Sequence, residues 1–154
     1  MAASRPFRTT GDLLDAADRI WNAAGRSDWL EAFAAHPKIG AGHPGRVRRA
    51  SRAGRVGTAT KTTEWSAQEQ SGALRASDDV RERLAAGNRA YTARFGYIFI
   101  VCATGKAAGE MLAALEHRLR NAPDRELEIA ADEQRQITRL RLLKLLSNAQ
   151  KAHR

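Results

Sequence analysis

His36 stands directly before Pro37, in the stretch His36-Pro37-Lys38-Ile39-Gly40. A residue that precedes proline is pushed out of the helical region, so a helix carrying Trp29, Leu30 and Phe33 must end there and leave the imidazole at a helix-to-loop junction. A proline-fixed, glycine-terminated turn can hold such a ring rigidly toward a cavity, where imidazole serves as acid or base near neutral pH. The commoner use of a lone histidine is a local hydrogen bond. His43 repeats the His-Pro pair but lies between glycines, where positioning is poor. Two histidines without clustered Cys, Asp or Glu are a weak metal site, and no metal is expected.

Glu69 follows Ser66 by three residues, the pattern in which a glutamate reaches back to cap its own helix; Gln70 beside it carries no signal of its own. Arg141 says more, because Ile137 and Leu145, one turn away on either side, are both apolar. A guanidinium on that face either snorkels from the rim or holds a buried anion. If it is inside, a carboxylate from the protein or a substrate must accompany it. Arg139, about 160° round the same helix, reads as a surface residue. Cys102, in the apolar run Tyr97 to Ala103, reads as a small buried hydrophobe rather than a nucleophile. With no glycine-rich phosphate loop and no serine or cysteine in a nucleophile setting, neither a nucleotide-dependent nor a covalent mechanism is supported.

The elements that must position these residues are helical. The chain has 154 residues, enough for one continuous core and a single domain spanning 1–154. It is 43% hydrophobic, 28% charged and only 6% aromatic, a balance that favours helices over a pleated, β-branched core. A first helix starts near Thr10 and runs to Gly25, with Leu13, Leu14, Ala17, Ile20, Trp21 and Ala24 on one stripe. A second is expected from Ser27 or Asp28, with Glu31 placed as in a capping box. Residues 41–63, glycine-rich and carrying five arginines between Arg46 and Arg55, read as a long mobile loop. A helix follows from Ser66. Another starts at Ser77, with Val80, Leu84, Tyr91 and Phe95 sharing a face up to Gly96. The run from Tyr97 to Cys102 is the one cluster of β-branched and aromatic residues. It is extended, irregular or a buried helix, since a lone strand has nothing to pair with. Met111, Leu112, Leu115 and Leu119 mark a helix ending near Asn121, and Pro123 opens the last and longest one, to about Gln150. The fold class expected is therefore all-α, a multi-helix bundle with a long basic loop and one short irregular or extended apolar segment.

The formal net charge of +9 points to an anionic partner. A small acidic substrate, nucleic acid or a membrane surface would each fit, and a solvated loop accounts for part of the excess. A single cysteine excludes an intrachain disulfide, and the longest apolar run is far short of a bilayer span. With no secretory or transit pattern at the start, a cytoplasmic protein is expected.

Read in order, five blocks make a pattern. They are Arg5-Pro6-Phe7, Trp29 through His36-Pro37-Lys38-Ile39-Gly40, Ser66 through Glu69-Gln70-Ser71-Gly72, Asn88 through Ala103, and Ile137-Thr138-Arg139-Leu140-Arg141-Leu142. The chain in this respect resembles the 2-oxo-4-hydroxy-4-carboxy-5-ureidoimidazoline (OHCU) decarboxylases, which complete the conversion of urate to allantoin. The resemblance implies an all-α, cofactor-free and usually dimeric enzyme that makes (S)-allantoin and carbon dioxide. It implies His36, Glu69 and Arg141 as catalytic residues and Pro37, Ser66 and Gln70 as substrate-binding neighbours. The main chain at Phe99 and Ile100 would offer groups to the ligand. It also implies that the chain lacks part of the family's first helix, since that helix would precede Arg5. Two rivals stand beside this expectation: a basic helical nucleic-acid-binding module built on the Arg46 to Arg55 segment, and the same fold acting on a related ureido acid.

Overall fold

The computed structural model describes residues 6–36 and 77–152. The 41–63 loop, the helix expected from Ser66, and Pro37, Ser66, Glu69 and Gln70 lie outside the described residues. Within them the chain forms helices α1 (Thr10–Ala23), α2 (Arg26–Ala34), α3 (Asp78–Phe95), α4 (Ala108–Arg118) and α5 (Pro123–Ala152), with no strand. The fold is all-α, and none of these helices is long and apolar enough to cross a membrane.

Local chemistry sets each helix start. Thr9, one residue ahead of the expected cap, accepts from the Asp12 N–H at 3.1 Å, and the Asp12 carboxylate accepts from the Thr9 N–H at 2.9 Å. For α2 the start falls earlier than expected. Asp28 is not the cap; its carboxylate reaches back to the Gly25 N–H at 2.9 Å, which places the helix from Arg26. Glu110 does the same for Ala107 at 2.7 Å, opening α4. Pro123 occupies the first position of α5, where its missing N–H costs nothing. Gly96, at φ 82°, ends α3 in the left-handed conformation that glycine adopts freely.

Packing joins these pieces around α5. α3 lies against α4 at Gly87, where an added Cβ would stand 2.7 Å from Leu115 Cδ2, so glycine is what permits the approach. α1 docks on α5 through the Trp21 indole N–H, which donates to the Ala131 carbonyl at 2.9 Å. Arg139 on α5 pairs with Asp18 on α1. The Arg139 side chain remains 39% exposed, in keeping with its surface reading, while its ion pair to a second helix was not foreseen. The core gathers Phe33, Leu84, Tyr91, Phe99, Met111 and Leu115, all essentially without exposure. Tyr91 sits at its centre, with the Phe95, Phe99 and Tyr97 rings at 4.7, 5.2 and 5.8 Å between centroids.

Candidate active site

The run from Tyr97 to Ala103 is neither helix nor strand. It crosses the core between two left-handed glycines, Gly96 at φ 82° and Gly105 at φ 80°. Every side chain in it is buried except the half-buried Ile98. Such a segment cannot satisfy its own backbone groups, and here charged side chains from other elements take several of them. Arg118 Nη1 donates to the Ile100 carbonyl at 2.8 Å. The Glu133 carboxylate on α5 accepts from the Cys102 N–H at 2.6 Å, and Lys106 Nζ donates to the Cys102 carbonyl at 2.8 Å. Lys106 and Glu133 face each other at 3.9 Å. Among the described residues nothing accepts from the N–H of Phe99, Ile100 or Val101. Phe99 and Ile100 are 1% and 2% exposed, side chain and main chain together, so their side chains belong to the core and their hydrogen-bonding groups are those of the main chain.

Arg118 is held by a network of its own. Its side chain is 7% exposed and that of Glu126 0%, and the two meet at 2.6 Å. Glu126 also accepts from the Tyr91 hydroxyl and from Asn121 Nδ2, the latter at 2.7 Å. The Arg118 guanidinium lies over the Phe99 ring, 4.7 Å from its centroid. Burial pushes the Tyr91 hydroxyl far above the usual tyrosine range, and its hydrogen bond to Glu126 adds to that; burial likewise raises Tyr97. Tyr91 is therefore a permanent donor to Glu126.

His36 stands two residues past the end of α2, half-buried, with its N–H donating to the Phe33 carbonyl at 3.1 Å. Phe33 fixes this helix end: it has no exposure, and its ring meets Tyr97 at 5.4 Å. The start of the irregular segment and the turn bearing His36 are thus packed on each other. The far side of the segment is tied to α5 by Glu133, two turns before Arg141. Arg141 is half-buried. Ile137, one turn earlier, is in the core, whereas Leu145, one turn later, is 48% exposed. Arg141 thus sits where α5 leaves the core. Of the residues named from sequence, the structure describes His36, Phe99, Ile100 and Arg141, on three elements that converge on one core. Cys102 is buried as expected.

Sequence reasoning missed Arg118, Glu126, Glu133 and Lys106. The first two had a signal. Arg118 continues the Met111 and Leu115 stripe of α4, and Glu126 continues the Ala130 and Ile137 stripe of α5, all buried. Two opposite charges at core positions of successive helices imply a pair, by the same reasoning applied to Arg141. Glu133 had none, because its partner is a backbone N–H.

The relatives agree with this architecture. The uric acid degradation bifunctional protein TTL of Arabidopsis thaliana is 41% identical over 152 residues, covering 98% of this chain but 44% of the plant protein. The chain thus spans less than half of that relative. A Haloferax volcanii 2-oxo-4-hydroxy-4-carboxy-5-ureidoimidazoline decarboxylase is 28% identical over 95% of this chain and 78% of its own length. A crystal structure of an OHCU decarboxylase in the presence of (S)-allantoin superposes with a TM-score of 0.73 at 38% identity, covering 94% of this chain and 87% of the other. The family model for OHCU decarboxylase matches residues 1–143, and the chain belongs to that family.

Proposed function

We propose that this protein decarboxylates 2-oxo-4-hydroxy-4-carboxy-5-ureidoimidazoline to (S)-allantoin and carbon dioxide in urate degradation. The observation that carries the proposal is the meeting of the His36 turn with a buried irregular segment whose Phe99 and Ile100 N–H groups have no acceptor among the described residues. The family, and the 38% identical relative solved in the presence of (S)-allantoin, support the same substrate.

In this reaction the bond from the ring carbon to its carboxyl carbon breaks, and the electron pair passes into the adjacent C=N bond. No external electron sink is required. What remains is proton movement and orientation. His36, with Glu69, removes the proton of the hydroxyl or of the carboxyl group on that carbon, and one of the two delivers a proton to one face of the ureido-bearing carbon. Arg141 anchors ring or carboxylate oxygens from the rim, and Pro37, Ser66 and Gln70 complete the substrate's surroundings. The N–H groups of Phe99 and Ile100 steady the negative charge that develops as carbon dioxide leaves. The enzyme works as a cytoplasmic homodimer on a small anionic substrate.

Replacing His36 or Glu69 tests the assignment. Each removes a proton-transfer group, and His36→Ala or Glu69→Gln is expected to lower kcat by about 10²- to 10⁴-fold while the far-UV helix signal is retained. A folded His36→Ala protein with wild-type turnover contradicts it.

A further inference from the structure

The irregular segment is gripped from two sides by charged groups. Arg118 reaches across from the end of α4 to the Ile100 carbonyl at 2.8 Å, and Glu133 on α5 takes the Cys102 N–H at 2.6 Å with Lys106 beside it. Val101 lies between the two grips and Phe99 and Ile100 lead into the first, and the N–H groups of all three have no acceptor among the described residues.

We infer that Arg118 and Glu133 are positioning residues for the decarboxylation, clamping the main chain on either side of Val101 so that the neighbouring amides meet the substrate's oxygens. The inference rests on the proposed function. Neither side chain need touch the ligand; each acts through a backbone group.

Glu133 is the better target, being partly exposed at 19%, whereas Arg118 is part of the core. With (S)-allantoin as calorimetric probe and freshly made OHCU as substrate, Glu133→Ala is expected to raise Kd and KM about tenfold, since a misaimed contact costs one to two orders of magnitude. The number of sites per chain stays unchanged, which loss of folded protein would not allow. Glu133→Gln keeps an oxygen that accepts from Cys102 N–H and is expected to restore both constants to within about threefold. Should the alanine variant not fold, Glu133→Asp, one methylene short of the N–H, carries the same expectation. Wild-type protein that neither binds allantoin nor consumes OHCU defeats the functional reading and the inference with it. Active wild type with unchanged Kd and KM in the folded alanine or aspartate variant, or a glutamine variant no better than alanine, overturns the inference alone.

Discussion

Replacing Arg118 by methionine keeps the volume of the side chain but leaves Glu126 without its cation. Glu126 has no exposure and retains only neutral donors, the Tyr91 hydroxyl and Asn121 Nδ2. Breaking a buried pair in this way costs about 3–5 kcal/mol, chiefly because a charge is stranded. Against a total stability of about 5–15 kcal/mol this is a large share, and at roughly 2–4 °C per kcal/mol for a domain of this size it lowers Tm by about 6–20 °C. The double variant Arg118→Met with Glu126→Leu removes both charges. The Ile100 carbonyl loses its donor in the single and double variants alike; the double newly orphans the buried Tyr91 hydroxyl, about 1–3 kcal/mol, and frees the half-buried Asn121 amide, so removing the stranded charge is expected to leave it more stable than the single variant. Urea titrations of wild type, both single variants and the double variant give the coupling directly. A single variant within about 1 kcal/mol of wild type, or a double variant no better than Arg118→Met, refutes the reasoning from burial.

Two further outcomes follow from the core. Burial holds the Tyr91 hydroxyl protonated well above the usual tyrosine range, so its contribution is complete below the unfolded value near 10.0 and lost as pH rises above it. Tyr91→Phe is therefore expected to lose about 1 kcal/mol at pH 7, from the hydrogen bond to Glu126, and to show a shallower decline between about pH 10 and 11 than wild type; parallel denaturation curves contradict this. Alanine at two helical glycines should act with opposite sign. At Gly87 the new methyl meets fully buried Leu115 at 2.7 Å and is expected to cost about 1–3 kcal/mol, less the roughly 1 kcal/mol gained in helix propensity. At Gly109 nothing lies within 4 Å, and the gain of up to about 1 kcal/mol stands alone. Thermal unfolding of the two variants decides it, and equal shifts contradict the packing argument.

The helical frame was legible because it rests on local rules. Periodic apolar stripes placed α3, α4 and α5, with the proline at 123 setting the start of α5 and the glycine at 96 the end of α3, whereas α4 ends at Arg118, three residues before the Asn121 expected. Errors fell where a side chain could serve either of two neighbouring positions: Asp28 caps from within α2 rather than in front of it. The run from Tyr97 to Ala103 stayed open between strand, helix and irregular chain for a physical reason. Its backbone is satisfied by Arg118 and Glu133, which lie 18 and 31 residues away from the groups they bind, and no local pattern encodes such partners. Arg139 shows the same limit, since its tie to Asp18 spans 121 residues. For the site, His36 was legible from the proline after it and Arg141 from its apolar neighbours. Their joint purpose came only from the ordered blocks that resemble the family.

The central claim is that this chain converts OHCU to one enantiomer of allantoin. The direct test generates OHCU from urate in the cuvette and follows circular dichroism as the protein is added. The account predicts a burst of optical activity of the sign of (S)-allantoin, at a rate proportional to protein concentration. Appearance at the spontaneous rate, or of racemic allantoin, with folded protein present contradicts it.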